Sequence, residues 1–482
     1  MSPTLIISVI VSYFILLYII SYFTGKNDSN DTFFLGNRKS PWFIIAYGMI
    51  GTTLSGITFI SVPGWVESNQ FSYMQMVFGF FVGYFIISRI LLPLYYGLGL
   101  TSIYTYLRDR FGTNSYKTGS SFFLLSRTIG ASFRLFLIAT VLQYAVFDSM
   151  RIPFFLTVLI TISLIWLYTY RSGMKTIIWT DTLQTTFMLS TVVIISYTLM
   201  NKMNLDISGL FSSISNSTYS QIFFFDNVSD KKYFFKQFFS GIFMAIVMTG
   251  LDQDQMQKNL SCRNLKDAQK NMTVFSVILI FVDLIFLCLG ALLYINYYSM
   301  PEINQILVLP EQADMLFPHI AIASGLPAYV GILFIIGIIA AAYSSADSAL
   351  TSLTTSFCVD IIEFEKQDAE KQIKTRKYTH LIMSLVLFTV IMIFHAINDQ
   401  SVVKSLFTVA GYTYGPLLGM FVFGLFTKHK INDKFVPFVA ILSPIICYVL
   451  NLYFDFGFEL LMLNGLITFI GLDIVRKGKY NW

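Results

Sequence analysis

Ser344, Asp347 and Ser348 stand at i, i+3 and i+4 in the apolar run GIIAAAYSSADSALTSLTTSFCVD, a spacing that puts them on one face of a helix. Ala341 lies one turn earlier on that face, and Ser345 is adjacent. Hard oxygen ligands converging near the middle of a membrane suit a hard cation such as sodium. A carboxylate at the centre of a membrane helix costs about 2.5–3.5 kcal/mol on insertion scales, which makes Asp347 a functional candidate. The plainer alternative is a protonated or hydrogen-bonded side chain that holds helices together. Asp181, in IIWTDTLQ, is either an acid favoured by the positive end of its helix or a second carboxylate of a cation site. Arg127 and Arg134 are seven residues apart, about two turns, and so share a face. One of them could meet an anionic solute; either could instead neutralise an acid. Asp283 and Arg89 also fall in apolar segments, and no role for them follows from the sequence.

Such groups need irregular helices to bring backbone oxygens to them. The segment GMIGTTLSGITFISVPGW places Gly51, Thr52, Thr53, Ser55, Gly56, Thr58, Ser61 and Pro63 within thirteen positions. Backbone carbonyls freed inside a membrane are tolerated only against a cavity, an ion or another polar group. The segment is therefore either a broken helix lining a site or a close-packed interface of small residues. A second interrupted segment, VAGYTYGPLLGMFVFGLF, carries Gly411, Gly415, Pro416, Gly419 and Gly424. Interrupted helices around a midplane site are the sequence pattern of a secondary transporter.

The elements that position these residues are membrane helices. The 482 residues are 55% hydrophobic, 17% aromatic and only 12% charged, about half the roughly 25% charge of a soluble domain. This composition excludes a soluble enzyme, a nucleic-acid binder and a disordered chain. Thirteen segments reach the roughly 20 apolar residues that a crossing needs. They run at 4–24, 44–66, 71–97, 120–147, 152–170, 177–200, 235–258, 270–297, 325–356, 377–396, 402–426, 434–453 and 456–475. The first lacks a basic flank and a cleavage site, and reads as a retained span rather than a signal peptide.

With the N-terminus outside and the C-terminus cytoplasmic, 23 of the 32 Lys and Arg residues fall in inside loops, Lys258 among them. Six fall in outside loops and three (Arg89, Arg127, Arg134) in spans, as the positive-inside rule requires. Short loops leave one all-α membrane domain over 1–482, with room for a short external helix at 300–320. The four Cys and four His residues are too scattered for a disulfide framework or a metal cluster. No HExxH, GxSxG or paired nucleophile and base is present, which argues against an intramembrane enzyme.

FFLGNRKSPWF, TTLSGITFISVPG, TSIYTYLRDRFG, IIWTDTLQ, DQDQMQKNL and YGPLLGMFVFGLF follow one another along the chain. In that order these blocks resemble the sodium/solute symporter family, the sodium-coupled sugar, proline and sialic-acid carriers. Span two is nearest in motif to the sialic-acid branch. The resemblance implies a LeuT-like fold with two inverted five-helix repeats, 44–200 and 235–426, one span before them and two after. It implies a shared sodium site built from backbone oxygens of Gly51, Leu54 and Ala341 and the hydroxyls of Ser344 and Ser345. Gly51 stands where alanine is common, which a carbonyl ligand tolerates. The second sodium site of some members maps to Asp181, Ser344, Asp347 and Ser348. Asp347 departs from the serine of the sialic-acid branch. An extra carboxylate could tighten that site, or stay protonated, because two close carboxylates resist double ionisation. The solute pocket maps to Thr53, Ser55 and Thr58, with Gln75 and Phe78 facing the same cavity. Arg134 is the carboxylate-binding candidate and Arg127 its alternative.

The activity this implies is sodium-driven import of a small polar organic solute by alternating access. Sodium is then a transported ion, and the partners are the solute, sodium and the lipid bilayer. A sugar acid such as sialic acid fits the pocket; a neutral sugar, an amino acid or a monocarboxylate also fits. One charge crossing 100 mV contributes about 2.3 kcal/mol of drive. The alternatives are a proton-coupled symporter using Asp181 and Asp347, and a channel or sodium sensor. The expected location is a plasma membrane, of the bacterial inner-membrane kind. The oligomeric state is not legible.

Overall fold

A computed structural model of the chain describes residues 3–25, 29–171, 173–299, 313–397, 402–454 and 456–479. Apolar runs must satisfy their backbone internally in a membrane, and here they become helices. They are α1 (Pro3–Thr24), α2 (Trp42–Gly64), α3 (Tyr73–Ile86, continuing through a π turn to Gly97), α4 (Thr113–Leu142), α5 (Phe154–Thr169) and α6 (Met174–Lys202). Next come α7 (Phe234–Gly250, then Gln253–Leu260), α8 (Leu265–Tyr298), α9 (Ala328–Ser356) and α10 (Ala369–Ile397). The last three are α11 (Val402–Phe426), α12 (Val436–Phe454) and α13 (Leu460–Ile474). Among the described residues the one sheet is an antiparallel pair, β1 (His429–Ile431) with β2 (Arg476–Lys479).

Nine of the described helices are long and apolar enough to cross a membrane, and the bent pairs α2 and α7 raise the number to eleven. Helices α5 and α13 have 16 and 15 residues, shorter than the roughly 20 of a full crossing. Length therefore supports eleven spans where the sequence pattern suggests thirteen. Residues 300–312 of the expected external helix lie outside the described residues; beyond them Leu316–Ala323 is helical.

Helix α2 bends by 60° and α7 by 65°. In α2 the break is Ser55, at φ 49° and ψ 170°, a conformation that costs a non-glycine residue on the order of 1–3 kcal/mol. In α7 the break falls just before Asp252, whose side chain caps the new helix by accepting the Asp254 N–H at 2.9 Å.

Helix α11, expected to be interrupted, is instead one continuous helix. Its glycines serve packing. A Cβ at Gly415 would lie 2.3 Å from the Asn464 side chain, and one at Gly419 would lie 2.4 Å from Thr468, both on α13. Pro416 removes the hydrogen bond that would end on the Tyr412 carbonyl. Asn464 Nδ2 donates to that carbonyl at 2.9 Å and to Gly411 O at 3.0 Å, so the backbone stays satisfied and helical.

The centre of the bundle is α9, in which every residue from Gly337 to Ser356 is buried. It packs against α2, α4 and α6. At the periphery α12 exposes Ile441 and Leu442 at 55% and 54%, the apolar surface that lipid covers. His380 is a satisfied core residue, with Thr354 and Thr169 hydroxyls each 2.9 Å from its ring nitrogens. The 201–234 connection carries a capped helix, Ile207–Ser215. The Asp206 carboxylate accepts the Gly209 N–H at 2.6 Å, and this bond with that of Ser208 holds its pKa below the usual range.

Candidate ion and solute site

The turn at Ser55 opens a cavity of about 100 Å³ among α2, α3, α4, α7 and α8. Thr53, Ser55, Thr58 and Arg134 line it. Gln75 and Phe78, expected beside them, do not. The Gln75 amide donates to the Lys232 carbonyl at 2.9 Å and accepts the Phe224 N–H at 3.1 Å. Phe78 stacks on Phe223, with ring centroids 6.2 Å apart. Both side chains anchor the connection between α6 and α7, a long-range partner that helix periodicity does not reveal.

Beside the break, α2, α6 and α9 converge on Asp181. Ser344 Oγ donates to Asp181 Oδ1 at 2.6 Å, and Thr52 Oγ1 donates to Oδ2 at 3.3 Å while lying 3.2 Å from Ser344 Oγ. Lys258 Nζ donates to Asp181 Oδ2 at 2.6 Å and contacts Thr52 Oγ1. Lys258 is only 1% exposed, which corrects its expected place in an inside loop. The bend of α7 turns residues 253–260 back into the bundle, and the Asp181 carboxylate supplies the countercharge without which a buried ammonium is costly. The Gly51 N–H donates to Thr185 Oγ1 at 3.2 Å, and a Cβ there would lie 2.4 Å from that oxygen. Glycine thus sets the approach of α2 to α6. Leu54 lies at the cavity edge, and Ala341 is buried on α9.

Asp347 takes its hydrogen bond from outside this group. Its Oδ2 accepts the Tyr168 hydroxyl of α5 at 2.8 Å. Among the described residues its Oδ1 and the neighbouring Ser348 Oγ are buried without a hydrogen-bond partner. Unpartnered buried oxygens are unusual in a folded protein and call for an explanation, a role in holding a cation being one.

The two arginines of α4 have different surroundings. Arg127 is ion-paired with Asp254 and lies 3.9 Å from Asp252 Oδ2, which accepts the Tyr414 hydroxyl at 2.5 Å. Among the described residues Arg134 makes no ion pair. Its Nη1 donates to Ser345 Oγ at 3.1 Å, and its Nε has no partner. The buried acids Asp181, Asp252, Asp254, Asp283 and Asp347 and the buried cations Arg127, Arg134 and Lys258 thus pair only in part: Arg127 with Asp254, and Lys258 with Asp181. Sequence reasoning missed Lys258, Thr52 and Tyr168. The one available signal for Lys258 was its place in DQDQMQKNL, where an acid can cap a helix that re-enters the bundle.

Residues 33–434 match the sodium:solute symporter family. The chain is 26% identical over 451 residues to the sodium/sialic acid symporter NanT of Aliivibrio fischeri, covering 88% of this chain and 83% of that one. It is 24% identical over 456 residues to the sodium/sialic acid symporter SiaT of Proteus mirabilis, covering 90% and 88%. In fold it is similar to a Na+-coupled sialic acid symporter solved in a substrate-bound outward-open state, with a TM-score of 0.82 at 20% identity over 98% of this chain and 99% of that one. A closed, bromovinylhydantoin-bound nucleobase-cation-symport-1 transporter, Mhp1, is more distant, with a TM-score of 0.59 at 14% identity over 93% and 95%. These likenesses establish the LeuT-like transporter fold and not a membrane enzyme. With the family matched over residues 33–434 and a broken helix beside the candidate site, the chain belongs to the sodium:solute symporter family, multi-pass membrane proteins that couple sodium to the movement of a small solute.

Proposed function

We propose that the chain imports a sugar acid such as sialic acid together with sodium, by alternating access. Arg134 receives the carboxylate, and Thr53, Ser55 and Thr58 meet the polar body of the solute. Sodium binds the oxygens of Gly51, Leu54, Ala341, Ser344 and Ser345. The observation that carries this reading is the 3.1 Å hydrogen bond from Arg134 to Ser345, which joins the two subsites through one side chain. Sodium on Ser345 would stand close to the guanidinium. Two like charges about 4 Å apart, at an effective dielectric near 20, repel by about 4 kcal/mol. A carboxylate on Arg134 cancels much of that repulsion. Each ligand then raises the affinity of the other by the same factor, which is the thermodynamic content of coupling.

Further observations support the reading. The relatives carry the names of sodium and sialic acid. Arg134 without an acid favours an anionic solute over a neutral sugar. Asp181 paired with Lys258 has no need of a proton, which counts against the proton-coupled alternative. A second sodium would use Asp181, Ser344, Asp347 and Ser348 when Lys258 withdraws; the unpartnered Asp347 Oδ1 and Ser348 Oγ favour it. In the alternating cycle 44–200 and 235–426 act as the two inverted repeats, each opening on a bent helix. Counted over thirteen crossings, α5 and α13 included, the charge distribution supports an outside N-terminus and a cytoplasmic C-terminus, and the bacterial relatives favour a bacterial inner membrane.

The test is binding of radiolabelled N-acetylneuraminate to purified protein in sodium chloride and in choline chloride. Sodium should raise solute affinity at least ~10-fold, a coupling of about 1.4 kcal/mol, and Arg134→Gln should remove solute binding. Affinity indifferent to both sodium and Arg134 would overturn the proposal.

A further inference from the structure

Asp283 sits in the middle of α8 and lines the same cavity as Arg134. It is 1% exposed, and among the described residues its Oδ1 has no hydrogen-bond partner. Among the described residues no ion pair reaches it, from Arg134 or from any other cation. The tyrosines that share its wall, Tyr73 and Tyr84, leave that oxygen unsatisfied. A carboxyl group buried in this way costs free energy unless something donates to it. Helix packing does not supply the donor, so gluing α8 to its neighbours does not account for the residue.

The cavity wall therefore carries a guanidinium without an acid and a carboxyl without a donor, with the hydroxyls of Thr53, Ser55 and Thr58 on the same wall. Arg127, the other cation on the wall, is already committed to Asp254. A ligand that satisfies both lone groups has an anionic end for Arg134 and hydrogen-bond donors away from it. We infer that Asp283 is a specificity-determining residue of the solute site, accepting O–H or N–H groups of the solute and selecting hydroxylated or amidated carboxylates over plain aliphatic ones. This rests on reading the cavity as the solute site. Selectivity of this sort is strong because a site built to receive a donor leaves its own buried acceptor unpaired when the donor is missing.

The experiment measures binding to the purified full-length protein in sodium chloride by the fluorescence of its tryptophans, of which Trp65 lines the cavity. The probes are N-acetylneuraminate, gluconate and hexanoate, the last two of equal chain length with and without hydroxyls. Wild-type protein should bind the hydroxylated acids at least ~10-fold more tightly than hexanoate. Asp283→Ala should cut that preference about tenfold, and Asp283→Asn, which keeps an acceptor oxygen, should cut it less. A retained sodium-induced rise in Tm certifies that each variant is folded. The inference is overturned if both variants keep the wild-type preference, or if wild-type protein binds hexanoate as well as the hydroxylated acids or binds neither of them. Gluconate bound with an Asp283-dependent preference while N-acetylneuraminate is ignored would remove sialic acid as the solute and leave the inference standing.

Discussion

Arg134 Nη1 donates to Ser345 Oγ at 3.1 Å across 211 residues of chain, so the cation that lines the cavity rests on a hydroxyl of the proposed ion site. Sodium on Ser345 must therefore compete with a guanidinium, and an anion on Arg134 must ease that competition. A ligand at about 100 times its Kd stabilises by about 2.7 kcal/mol. Wild-type protein should show a rise in Tm in sodium chloride over choline chloride at equal ionic strength. Ser345→Ala should lose most of it. Arg134→Gln should keep it and reach it at lower sodium concentration, because a repelling charge has gone. A requirement for more sodium in Arg134→Gln would contradict the competition.

The Lys258–Asp181 pair is buried on both sides. Removing one partner of such a pair typically costs about 3–5 kcal/mol, while removing both can be close to neutral. Lys258→Met should lower Tm markedly. Lys258→Met combined with Asp181→Asn should recover much of the loss, although Asp181→Asn also weakens any second sodium site. Additive losses in the double variant would show that the pair does not stabilise the fold.

At Gly51 the added Cβ of alanine would lie 2.4 Å from Thr185 Oγ1. Overpacking of this kind costs about 1–3 kcal/mol. Gly51→Ala should lower Tm and weaken the sodium response, since the same residue offers a candidate sodium carbonyl. Thr185→Ala in the same protein should restore stability by removing the oxygen that is struck. No rescue would mean that α2 and α6 adjust in some other way.

Local chemistry was legible wherever one segment carried it. The Gly, Ser, Thr and Pro run around Ser55 allowed a break or a close-packed interface, and Ser55 is where α2 turns. The oxygens of α9 announced a buried polar face, and residues 337–356 are buried. Glycine was ambiguous, because it marks close packing as readily as a break; α11 proved to be the first, with Asn464 serving the carbonyl that Pro416 frees. The second bend, before Asp252, went unseen because its signal is a single capping acid. Pairings across the chain were beyond reach. Nothing local assigns Arg127 to Asp254, which then leaves Arg134 for the cavity, or carries Lys258 from an apparent loop to Asp181. Gln75 and Phe78 face a connection rather than the cavity, a choice that depends on how a loop some 150 residues away folds over α3.

Uptake of radiolabelled N-acetylneuraminate into proteoliposomes most directly tests the central claim of sodium-driven solute import. An inward sodium gradient should drive accumulation that collapses when the gradient is dissipated and is absent in Ser345→Ala. Accumulation driven equally well by a pH gradient in sodium-free buffer, and undiminished in Ser345→Ala, would contradict it.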